Sequence, residues 1–176
     1  MQSTILFIQF LVIGTPHLSK KYEQHTSIKD LQFLIGTWEA EERNKENTWW
    51  EKCTRTGTYM LDSTYIKLES VAVASTGKQR TYSFMIHYDK TAGHFEMIGM
   101  YSNWPKIRVE FLDWDSESRT IRLQSKPDGG EYSERVGTIK FNEKFDSYVW
   151  TGVNKSGDRL NPVVWEFTER GQRVKY

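Results

Sequence analysis

Cysteine is nearly missing from this chain: Cys53 is the only one in 176 residues. A lone thiol excludes an internal disulfide and leaves no cysteine cluster for structural zinc. An excess of charge is missing too. The 24 Lys and Arg stand against 23 Asp and Glu, for a net charge of +1. A dedicated nucleic-acid binder carries a basic field, so no nucleic acid is expected as a partner. No apolar run reaches the roughly 20 residues that a membrane helix needs. The longest, from Ile5 to Ile13, is interrupted by Gln9, and no stable membrane insertion is expected. There is no G-x-S-x-G nucleophile turn and no phosphate-cradling glycine loop. The four histidines, His17, His25, His87 and His94, are too dispersed to supply a set of metal ligands. No catalytic residue, metal or cofactor is therefore assigned.

What is present is aromatic: 14% of the chain, with seven Trp, nine Tyr and nine Phe. Such residues favour strands and suit pockets. The length fits one domain able to bury a core of its own. The Ile5 to Ile13 run has the length of the apolar core of an export signal, although no Lys or Arg precedes it and no small-x-small site follows. A buried strand and a translation start further along are the other readings. Residues 1–26 are read as this signal plus a polar linker, PHLSKKYEQHT, and residues 27–176 as the domain. The matching location is secreted or periplasmic, with cytoplasmic as the alternative. The oligomeric expectation is a monomer or homodimer.

Ser27 and Asp30 form a capping-box pattern ahead of a short apolar helix over 28–35. Leu31, Leu34 and Ile35 share one face of it, with Phe33 alongside. Gly36 is the expected stop, because glycine readily takes the left-handed conformation beyond a helix end. From Thr37 the chain reads as strands near 37–45, 48–59, 63–73, 79–89, 94–102, 107–115, 119–125, 131–141, 145–152 and 163–170. Turn residues separate them, as in Ser75-Thr76-Gly77-Lys78 and Pro127-Asp128-Gly129-Gly130. Period-two alternation groups Tyr82, Phe84, Ile86 and Tyr88, and likewise Ile107, Val109 and Phe111. The fold class is all-β: a single antiparallel up-and-down barrel of about ten strands with a short N-terminal plug helix, since closure removes exposed edges.

Gly36-Thr37-Trp38 resembles the G-x-W that opens the first strand of lipocalins and related calycin barrels. The wider LQFLIGTWEAE (31–41) and HYDKTAGHFEMIGMYSN (87–103) resemble the lipocalin-like bacterial families of the DUF1579 type, with their LxxLxGxW opening and later YD…G hairpin. The likeness spans about residues 28–170. It implies an arginine after the last strand packed over the tryptophan, and Arg170 is the candidate. Strand parity agrees, since strand ten ends where strand one begins. Gly36, Trp38 and Arg170 are thus the expected barrel floor, sealed in part by cation–π contact.

The open end then falls at the turns near 44–48, 75–78, 103–106, 126–130 and 153–162. The last of these, with Trp104 and Pro105, is expected to cover the entrance. Tyr82, Tyr101, Tyr132 and Trp150 are expected to ring it. Arg55, Glu69 and Arg135 are expected deeper if they face inward; surface ion pairing is the alternative. Glu39, Glu41 and Arg43 fit a wet outer face. The leading functional expectation is a binding protein for a small apolar or amphipathic molecule. Competing expectations are an enzyme of lyase or isomerase type on a small acidic or cyclic substrate, and a packed barrel serving as an interaction domain.

Overall fold

The structure, a computed structural model, describes residues 27–126 and 132–175. The signal and linker reading of 1–26 lies outside the described residues, as does most of the 126–130 turn. Ten antiparallel strands each pair with the next in sequence: β1 (Gly36–Asn44), β2 (Trp49–Met60), β3 (Tyr65–Ala74), β4 (Gln79–Asp89), β5 (His94–Tyr101), β6 (Trp104–Asp115), β7 (Thr120–Ser125), β8 (Tyr132–Phe141), β9 (Ser147–Gly157) and β10 (Pro162–Arg173). Pairing of β1 with β10 closes the barrel, so no strand among them keeps an open edge.

The plug is a 3-10 helix over Ile28–Leu34 rather than an α-helix. Its buried residues, Ile28, Leu31 and Leu34, recur every third position, the spacing that aligns side chains in a helix of three residues per turn. The capping box is formed: the Ser27 N–H donates to Asp30 Oδ2 at 3.0 Å, and Ser27 Oγ accepts from the Lys29 N–H at 3.3 Å. Gly36 follows with φ +113°, and a Cβ there would lie 2.9 Å from Arg173. Phe33 packs on Trp114, Phe141 and Phe145 at centroid distances of 4.7–4.8 Å.

Trp38 is buried beneath this plug and donates its indole N–H to the Leu34 carbonyl at 3.4 Å. Arg173, and not Arg170, covers it. The two residues pair across the β1–β10 seam, and the Arg173 guanidinium lies 4.5 Å from the Trp38 ring. It also donates to the carbonyls of Ile35 at 2.6 Å, Phe145 at 3.2 Å and Phe33. Arg170 is exposed, because β10 runs three residues further than expected and its inward residues are Phe167, Glu169 and Gly171. β9 is also longer than expected. Residues 153–157 continue as strand and pair with 162–166, so the expected long loop over the entrance is a hairpin with a short turn.

Candidate functional site

The barrel interior divides by depth. Near the plug it is packed with aliphatic and aromatic side chains around an apolar void of about 50 Å³ bordered by Trp38, Leu68, Ile86 and Leu112. Toward the open end it is hollow, with a cavity of about 460 Å³. One part of that wall is aromatic: Tyr82, Tyr101, Trp104, Trp150 and Trp165. Tyr101 is the hub, with ring centroids 5.6 Å from Tyr82, 5.7 Å from Phe84 and 5.8 Å from Trp104. A larger concavity, of about 1000 Å³, lies on the outer wall between outward residues such as Phe111, Arg122, Val136 and Thr168. The interior cavity, where inward charged groups face the aromatic wall, is the candidate site.

Charge inside the barrel is arranged as pairs. Arg55 meets Glu169 with two hydrogen bonds, at 2.9 and 3.2 Å, and also donates to Ser70 and Tyr148. Tyr148 donates to the same carboxylate at 2.6 Å. Burial opposes the Arg55 charge, but Glu169 and Tyr148 outweigh it and hold the guanidinium well above its ordinary range. Arg80 meets Glu51 at 3.2 Å, and Tyr82 donates to Glu51 at 2.6 Å. Burial and then that carboxylate raise the Tyr82 phenol. Arg135 lies 3.6 Å from Glu110 and donates to Asn154 at 2.8 Å and Tyr101 at 3.4 Å. Glu110 is fully buried, and its oxygens have no hydrogen-bond donor among the described residues.

Among the described residues, one inward arginine and one inward glutamate remain outside these pairs, and a buried thiol lies beside them. Arg108, on β6, lies 4.8 Å from the Trp104 ring and 5.7 Å from that of Tyr101. It donates to Ser133 Oγ at 2.9 Å but has no carboxylate in ion-pair contact among the described residues. Burial and then the neighbouring Arg135 charge lower its pKa. Glu42, on β1, accepts from the Trp165 indole at 3.4 Å. Burial, then the Glu169 and Glu51 carboxylates, push its carboxyl up to about 7. Cys53 is buried on β2 between Glu51 and Arg55, with Sγ 3.9 Å from Arg55 Nη2. Burial pushes its thiol up to about 11; Arg55 pulls the other way, and Glu169, Glu51 and Glu42 add to the rise.

Of the residues singled out from sequence, Tyr82, Tyr101, Trp150, Arg55 and Arg135 border one cavity. Tyr132 opens β8 opposite Gly157, and its side chain lies outside the described set. Glu69 does not belong. The inward residues of β3 are Ile66, Leu68, Ser70, Ala72 and Ala74, and Glu69 pairs with Lys67 on the outer wall at 2.7 Å. The expected depth order is reversed for two residues. Trp150 is buried, T-shaped on Phe167 at 5.3 Å, while Arg135 pairs with Asn154 four residues nearer the open end. β6 turns Arg108, Glu110 and Leu112 inward, and Ile107 is exposed. The apolar alternation of Ile107, Val109 and Phe111 therefore marks the outer wall.

Glu51 shares a face with Arg55 on β2 and could be read as an inward charge, whereas Glu42, Arg80, Arg108 and Glu169 were not legible as site residues one at a time. Two had a usable signal. Glu42 shares the parity of Trp38 and Ala40, and Glu169 lies between Phe167 and Gly171 on one face. His87 and His94 both approach Glu96 at 3.5 Å, away from the cavity.

No family model matches the chain, and no curated protein matches it. Among solved structures, the chain is similar to the S-type phycobiliprotein lyase CPES from Guillardia theta. That match has a TM-score of 0.59 and 13% identity and covers 86% of this chain and 95% of that one. It is also similar to EF1p2_mFAP2b bound to DFHBI, at TM-score 0.48 and 12% identity, over 85% of this chain and all of that one. A de novo designed fluorescence-activating β-barrel matches at TM-score 0.43 and 13% identity over 81% and 95%. At this identity the lyase match shows the fold alone: a closed antiparallel barrel of ten strands.

Proposed function

We propose that this protein binds a small amphipathic, ring-bearing molecule in the open half of the barrel. The observation that carries this reading is the cavity of about 460 Å³, in which an aromatic wall faces inward-pointing arginines and glutamates. Flat apolar surface would be buried against Tyr101, Trp104 and Trp165, and the polar groups would fix orientation. The hollow upper half counts against the packed-barrel alternative. The lyase from Guillardia theta shares the fold and lends no chemistry to this chain. The finer likeness to DUF1579-type families rests on motifs with structural work of their own. The opening motif builds the floor, and in the YD…G hairpin Asp89 Oδ1 accepts from the Thr91 and Ala92 N–H groups.

A second reading, an enzyme on a small acidic or cyclic substrate, is favoured by Glu42. A carboxyl raised to about 7 can both hold and release a proton near neutral pH. Native mass spectrometry of gently purified protein tests the binding reading: a stoichiometric small molecule is expected, displaced on unfolding. Repeated recovery of empty protein that also fails to quench its tryptophans with any aromatic probe would sink it.

A further inference from the structure

We propose that the cavity is built for a monoanion: an aromatic acid whose carboxylate lies against Arg108 and Ser133 beside Trp104, with its far end toward Glu42. This deepens the binding reading above and rests on it. Among the described residues, four arginines and four glutamates point into the upper half of the barrel. Arg55 is matched by Glu169, Arg80 by Glu51 and Arg135 by Glu110. Arg108 is left over among the cations and Glu42 among the carboxyls. They cannot serve each other directly, because β1 and β6 lie five strands apart in a ring of ten, on opposite walls.

A half-buried guanidinium without a carboxylate gives up solvation that no counter-charge restores. Arg108 retains donors beyond the one spent on Ser133, and its Nε has no partner among the described residues. A planar carboxylate satisfies such a fork with two parallel hydrogen bonds. The aromatic requirement follows from the neighbours. Trp104 and Tyr101 flank the guanidinium, so a ring attached to that carboxylate meets their faces or edges. Single charge follows from the count among the described residues: Lys155 meets Glu134 at 3.7 Å, so once the three inward pairs are formed and Glu42 holds its proton, one positive charge is unmatched.

Glu42 makes the binding depend on pH. The charged groups around it are Glu51, Arg55 and Cys53 from β2, Glu169 from β10, Arg135 from β8, Arg80 from β4 and Lys155 from β9. When Glu42 ionises it adds a second unmatched charge, of the same sign as the ligand.

The test uses 2-naphthoate and its neutral isostere 2-naphthamide, titrated into the full chain and followed by tryptophan quenching and calorimetry. At pH 6 the acid is expected to bind at least about ten-fold more tightly than the amide. Arg108→Gln should erase that preference, and Arg108→Lys should restore part of it. Affinity for the acid should fall as pH rises through about 7, and Glu42→Gln should remove that dependence. Equal affinity for acid and amide in the wild type overturns the monoanion inference while leaving the binding reading standing. Binding of neither compound overturns the monoanion inference, and the binding reading falls with it only if the gently purified protein is also recovered empty. An acid preference that survives in a folded Arg108→Gln protein removes Arg108 from the site.

Discussion

Glu169 takes two hydrogen bonds from Arg55 and one from Tyr148 in the barrel interior, which makes it the residue whose loss should be felt most. Glu169→Ala would leave a guanidinium buried without its counter-charge. The expected cost is about 3–5 kcal/mol in denaturant unfolding. A loss below about 1 kcal/mol would mean that Arg55 finds another acceptor or water. Glu42 gives a prediction in pH. Its carboxyl titrates near 4.5 in the unfolded chain and near 7 in the fold. Between those values the folded protein holds the extra proton. Stability therefore falls as pH rises from about 4.5 and levels off above about 7. The full drop is on the order of 3 kcal/mol. Glu42→Gln should match the wild type near pH 4 and exceed it at pH 8. Coincident pH–stability curves for the two proteins would place Glu42 in water.

At the scale of elements, the plug depends on close approach. A Cβ on Gly57 would lie 2.1 Å from the Leu34 carbonyl oxygen, so Gly57→Ala must push the helix off the barrel floor. An overpacked contact of this kind costs about 1–3 kcal/mol. The near-ultraviolet signal of Trp38 should change with it, and an unchanged spectrum and melt would show that the plug is not seated there. The plug and the strand ladder were readable because each carries a local signal. The capping box lies within four residues, and strands such as β4 alternate cleanly. β6 shows the limit. Ile107, Val109 and Phe111 alternate as a core face should, yet Arg108 and Glu110 are the inward pair. In a barrel whose upper interior is charged, polarity no longer tells inside from outside. A shift in the β5–β6 register near Gly99 and Tyr101 adds a break that no local pattern announces. The sealing arginine failed for a similar reason, since the end of β10 is set by its pairing with β1.

Over the whole molecule, the two ends of the barrel do different work. The floor is packed, so Trp38→Ala should cost about 3–5 kcal/mol. Trp150→Ala belongs with it, because Trp150 is buried on Phe167 and not at the rim. Trp104→Ala, at the open end, should cost less than about 1 kcal/mol while weakening capture of 2-naphthoate. Thermal melts of the three variants check this gradient; equal losses at both ends would contradict a hollow upper half. The site as a whole was only half legible because its pairs are made by closure. Arg55 and Glu169 are 114 positions apart in sequence and meet only because β1 brings β2 and β10 to either side of itself.

Cys53 offers a clock for that closure. It is the only thiol in the chain, buried opposite Ala40 and Ala72, with a pKa near 11 that leaves little thiolate at pH 8. A disulfide reagent added to the native protein should thus react at a rate set by how often the β1–β2–β3 wall opens. The trapped fraction, followed over hours, becomes a direct count of breathing events. A small molecule resting above that wall should slow the rate in proportion to the fraction of protein it occupies, with no fluorophore and no knowledge of what the molecule is.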